Sequence, residues 1–135
     1  MNGVEEITYQ GKVLAKVFRG NQVEDGVQFF TSQDNPFQVG MHSRKKGVSL
    51  TPHIHVLEKP LVVDVIQEIL FVQSGKIRLT LYTDQGKVIE RKTLATGDSV
   101  LLLSGAHGVD ILEDAKIFEV KQGPYPGVKH AKIYL

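Results

Sequence analysis

Cysteine is absent from the 135 residues. Its absence excludes disulfides, thiolate metal ligands and a cysteine nucleophile, so any bound metal must be held by nitrogen and oxygen. Nowhere do about 18 apolar residues run together, as a membrane-spanning helix needs. The opening stretch MNGVEEITYQGK lacks a basic segment followed by an apolar one. These two absences predict a soluble, cytoplasmic protein. An excess of charge is also missing: 16 Lys and Arg face 15 Asp and Glu, for a formal net charge of +1. No general attraction to nucleic acid or to an anionic membrane is expected from that balance. There is no Gly/Ser linker, charge block or internal repeat, and the length suits one domain, residues 1–135, with a real core.

What is present is a succession of short segments rich in Val, Ile, Leu, Phe and Thr, punctuated by Gly, Asn, Asp and Pro. This pattern predicts an all-β protein. Candidate strands are 6–9, 12–18, 26–32, 37–44, 48–55, 61–72, 76–83, 87–94, 98–103, 107–112, 116–121 and 130–134, and no segment has the pattern of an amphipathic helix. Gln10-Gly11, Asp25-Gly26, Ser74-Gly75, Gln85-Gly86 and Thr96-Gly97 each put a glycine where a tight hairpin needs positive φ. So many short strands predict a sandwich, jelly roll or barrel.

Four residues are of types that can ligate a metal ion. His53 and His55 flank one residue of an expected strand, and alternation across a strand would send both imidazoles to one face. Such a pair can grip one ion, or it can be two solvated histidines. Glu68 opens an apolar run, Glu-Ile-Leu-Phe-Val, where a lone carboxylate needs a cation or donor unless it lies at a solvated strand edge. His107 follows Gly105-Ala106 at the start of another strand and can equally be a turn residue.

Taken together, these residues resemble the two signature motifs of the cupin superfamily. The first is met by Gly47, His53, His55, Glu68 and Gly75, with five residues before His53 and six before Gly75. The second is met by GDSVLLLSGAHG, Gly97 to Gly108. Three features depart from the pattern. Twelve residues separate His55 from Glu68, where the family has only a few, and this extra segment could form a flap near the barrel mouth. Leu103 stands at the motif's proline. One residue, not two, lies between Gly105 and His107. Glu58 competes with Glu68 by its spacing from His55, but it lacks the strand and the glycine seven positions on. GDSVLLLSGAHG and the tail EVKQGPYPG (Glu119 to Gly127) are also similar to small, uncharacterised cupins of bacterial surface-polysaccharide gene clusters, which hints at sugar-linked substrates.

The resemblance implies a single-domain, jelly-roll-like cupin barrel holding one divalent ion (Fe, Mn, Ni, Co or Zn) on His53, His55, Glu68 and His107. It also implies a homodimer, to which an N-terminal hairpin of residues 6–18 could contribute its edge. Such an ion could serve a metal-dependent enzyme acting on a small oxygenated molecule, such as a sugar or sugar acid, by isomerase, epimerase, lyase or dioxygenase chemistry. The alternative is a non-catalytic metal- or carbohydrate-binding module.

Strand parity adds expectations about direction. A two-residue turn at Ser74-Gly75 would continue the face of Glu68, Leu70 and Val72 as Ile77, Leu79 and Leu81, leaving Arg78, Thr80 and Tyr82 outward. From His107 the inward face would run through Val109 and Ile111. A turn at Glu113-Asp114 would then carry it to Phe118 and Val120, and one extra residue there would instead bring in Glu119 and Lys121. His42 and His130 are expected to be solvated, and Arg44-Lys45-Lys46 to form a solvated hairpin tip.

Overall fold

A computed structural model of the chain describes residues 3–20 and 25–135, with Val128 described by its backbone alone. The described residues contain eight strands and one short helix: β1 (Val4–Tyr9), β2 (Lys12–Phe18), β3 (Gly26–Phe29), β4 (Gly40–Ser43), β5 (Glu68–Tyr82), β6 (Val88–Ala95), β7 (Ser99–Leu102), β8 (Ala106–Lys121) and α1 (Val128–Ala131). The fold is all-β. The chain divides into two compact units, Met1–Gln22 with Val65–Leu135, and Val23–Asp64. No helix among the described residues is long and apolar enough to cross a membrane.

The first unit is a curled, antiparallel six-stranded sheet ordered β1-β2-β7-β5-β6, with β8 on the other side of β5. The β1–β2 hairpin closes at Gln10 and Gly11, both at positive φ (50° and 76°), the geometry that matches the twist of flanking strands. Glu68–Phe71 pairs with β7, Lys76–Tyr82 pairs with β6, and β8 runs beside both halves. Thus β5 is a single strand that bends to serve two neighbours.

The bend explains the main difference from the turn pattern. Ser74-Gly75 is not a hairpin turn but an irregularity inside β5, where the register with β8 shifts three times between Val72 and Ile77. Gly75 takes φ 93°, and a Cβ there would overlap the carbonyl oxygen of Asp114. A bulge inserts a residue and increases local twist without ending the strand. The expected face is kept across the irregularity: Leu70, Val72, Ile77, Leu79 and Leu81 are all buried, with Ile7, Leu14, Val17, Leu94 and Val100 packed in the same core.

Outward parity holds for Arg78, which is exposed and pairs with Asp110 at 3.0 Å. Thr80 departs from it, being only 2% exposed. The residue opposite Thr80 is Gly108, which presents no side chain, and a Cβ there would come within 3.4 Å of the Tyr82 ring. Across the sheet, Arg19 at the end of β2 donates to Glu5 (2.7 Å), Asp98 (3.1 Å) and the Thr93 carbonyl (2.9 Å), tying β1 to the β6–β7 turn.

The second unit has a two-stranded antiparallel sheet, β3–β4. Residues 48–55 and 61–67, expected as strands, are irregular, and the short α1 replaces the expected strand at 130–134. Apolar alternation alone does not create a strand when no partner ladder takes up its backbone groups. The stretch from Ile54 to Ile66 leaves large side chains in water, among them Ile54 (88% exposed), Val62 (83%) and Val56 (82%). Arg44, Lys45 and Lys46 are exposed, as expected, beside a turn in which the Val48 N–H donates to the Lys45 carbonyl.

Candidate functional site

The first unit brings Glu68, His107 and Glu119 to one face. Glu68 opens β5 and stands opposite Lys121, Leu70 stands opposite Glu119, and Leu81 opposite His107. Directly opposed residues of an antiparallel pair project to the same side. β8 continues through Glu113 and Asp114 without a turn, and across the irregular pairing there its partners on both sides, Leu70 and Val72 as well as Ile77, Leu79 and Leu81, belong to one buried core. The odd-numbered residues His107, Val109, Ile111, Ile117, Glu119 and Lys121 therefore share a face. The turn expected at Glu113-Asp114 would have placed Phe118 and Val120 there, but they lie on the other face beside Phe71 and Ile69. Val109 and Ile111 take the expected face yet remain 37% and 56% exposed.

His107 Nε2 lies 4.0 Å from Glu68 Oε1, with side-chain exposures of 34% and 14%. Desolvation, followed by a hydrogen bond and charge repulsion from Glu119, pushes the Glu68 carboxyl up to about 7. Two carboxyl groups can share a hydrogen bond only when one carries a proton, and it rests on Glu68, the more buried of the pair. Glu119 is shifted below its ordinary value by that hydrogen bond. Burial lowers the His107 pKa, favouring the neutral imidazole that a metal ion requires.

His53 and His55 belong to the second unit and lie on irregular chain rather than on a strand. Their rings are nevertheless adjacent, with centroids 4.9 Å apart and planes at 77°. His53 Nδ1 is 2.8 Å from the Thr51 carbonyl oxygen. A carbonyl only accepts, so Nδ1 is the donor, the arrangement by which a backbone contact leaves Nε2 of a neutral ring for a metal ion. Glu58 is exposed in the same irregular stretch. His42 and His130 are exposed, as expected.

The donor set of imidazole nitrogen and carboxylate oxygen suits a divalent transition ion. Two donors bound at about 2.1 Å can stand no more than about 4.2 Å apart, and the 4.0 Å between His107 and Glu68 meets that limit. Within neither unit, among the described residues, do three or more His, Asp or Glu side chains gather closely enough to hold an ion by themselves.

Two cations accompany the carboxylates. Lys121 Nζ is 4.0 Å from Glu119 Oε2 and 5.0 Å from the centre of the Tyr125 ring. Lys132, beyond α1, acts electrostatically on Glu68, His107 and Glu119. Sequence reasoning left Glu119 and Lys121 open and did not find Lys132, because nothing in the alternation of β8 announces where the chain returns after Gly127. No protein-family model, no curated protein and no solved structure matches this chain.

Proposed function

We propose that this chain is a small, single-domain, cytoplasmic cupin that binds one divalent metal ion through His53, His55, Glu68 and His107, and that it is a metal-dependent enzyme. What joins the two histidines of one unit to Glu68 and His107 of the other is the order and spacing of the motif in the sequence. The observation that carries the reading is the half-buried Glu68 carboxyl, held beside the His107 imidazole and a second carboxylate in a place that a cation would complete. When bound, such an ion polarises substrate oxygens and offsets enolate-like charge. The chain itself contributes Glu119, a second carboxylate within hydrogen-bonding reach of Glu68 and a candidate for moving a proton on a small oxygenated substrate. That group favours an enzyme of isomerase, epimerase, lyase or dioxygenase type over a non-catalytic metal- or carbohydrate-binding module. We also propose that two chains pair as a homodimer.

The test is elemental analysis after anaerobic purification of the parent, His53→Ala and Glu68→Ala. About one ion per parent chain is expected, with clear loss in both variants. A parent that takes up no stoichiometric ion under any loading refutes the reading. Oxygen uptake by the iron-loaded chain then separates dioxygenase from redox-neutral chemistry.

A further inference from the structure

Lys121 differs from an ordinary surface lysine. It stands opposite Glu68, at the end of the face that carries His107 and Glu119. Its ammonium is held from two sides, by the Glu119 carboxylate at 4.0 Å and by the Tyr125 ring at 5.0 Å, and its side chain is only 28% exposed. A lysine so restrained has already lost much of the rotamer freedom that an unrestrained one gives up on binding an anion. The stacking residue belongs to the turn segment that follows β8. Beyond that segment the chain brings Lys132 within electrostatic range of the same three groups. Two ammonium groups from different parts of the chain thus converge on one end of the sheet.

Charge balance shows what they are suited to. Once a divalent ion is bound and Glu68 and Glu119 are both ionised, ion and carboxylates cancel. The ammonium groups of Lys121 and Lys132 then remain as uncompensated positive charge beside a partly buried site. A neutral sugar leaves that charge unmatched, whereas a ligand bearing a carboxylate or phosphate neutralises it.

We propose that Lys121, assisted by Lys132, forms an anion-recognition subsite next to the Glu68–His107–Glu119 group, so that the substrate is a small oxygenated molecule carrying a carboxylate or phosphate. This inference rests on the metal-site reading above. Lys121 is the specificity-determining residue, oriented by Tyr125 and Glu119.

Calorimetric titration of the full, metal-loaded chain tests it, with galacturonate, glucose 6-phosphate and neutral galactose as probes and metal content measured on every sample. At least one of the two anions is expected to bind about tenfold or more tightly than galactose, the scale of a hydrogen bond to a charged group. Lys121→Met should remove that preference, Lys121→Arg should retain it, and Lys116→Met, on the other face of β8, should leave it untouched. The stronger anion identifies the group as carboxylate or phosphate. Equal binding of charged and neutral probes, no binding of either anion, or full preference in a folded Lys121→Met variant overturns the subsite while the metal reading stands. A chain that binds no ion overturns both.

Discussion

At the scale of single residues, Glu68 is the group whose surroundings most oppose its ordinary behaviour. Burial and the neighbouring Glu119 raise its carboxyl from 4.5 to about 7 in the folded chain. A raised acid favours folding while it is protonated. Its contribution is therefore complete below the unfolded value of 4.5 and declines as pH rises toward 7. In the metal-free protein, Glu68→Gln, which keeps the shape and stays neutral, is expected to unfold at a higher temperature than the parent at pH 8, with the difference shrinking or vanishing at pH 5. Calorimetric scans at the two pH values read this directly; a difference that does not grow with pH would mean that Glu68 is not desolvated as described. The other members of the group depend on less unusual conditions. His107 is already biased toward the neutral ring, and the Thr51 carbonyl fixes the tautomer of His53.

At the scale of elements, the Gly75 bulge sets which residues meet. Gly75→Ala has to place a methyl group against the Asp114 carbonyl at φ 93°. The strained backbone alone costs on the order of 1–3 kcal/mol, so a loss of at least that size in chemical denaturation is expected. A loss of only a few tenths would show that β5 and β8 relax freely there. The same position marks the limit of what the sequence discloses. β2 falls at its expected residues, 12–18, because Gln10 and Gly11, both at positive φ, close a tight hairpin just before it. Ser74-Gly75 carries a similar signal, yet glycine at positive φ serves a bulge as well as a turn, and only the partner strand decides between them. The inward face of β5 was legible because both readings move the parity by one residue. Glu119 was not, because its direction depends on whether β8 turns at Glu113-Asp114, and those two residues fit a turn and an exposed strand equally. For His53 and His55 the sequence conveyed their adjacency but not its basis: their rings meet at 4.9 Å without a strand to align them.

At the scale of the whole molecule, the proposed pairing of two chains is a statement about mass. Among the described residues β1 pairs on one side, with β2, and a strand edge of this kind can add to the sheet of a second chain. Light scattering across a size-exclusion peak should give twice the 15.0 kDa of one chain, and a single species at the monomer mass rules the dimer out. The stretch from Ile54 to Ile66 bears on the behaviour of the protein as a solute. Ile54, Val56, Leu57, Val62 and Ile66 are each more than half exposed, and their contact with water grows more costly as excluded salts are added. With charges nearly balanced at +1, there is little net repulsion to hold molecules apart. This stretch, together with Phe118, Ile133, Tyr134 and Leu135, which are also more than half exposed, should make the chain salt out early in sulfate or phosphate and stay dispersed in dilute, weakly excluded salt.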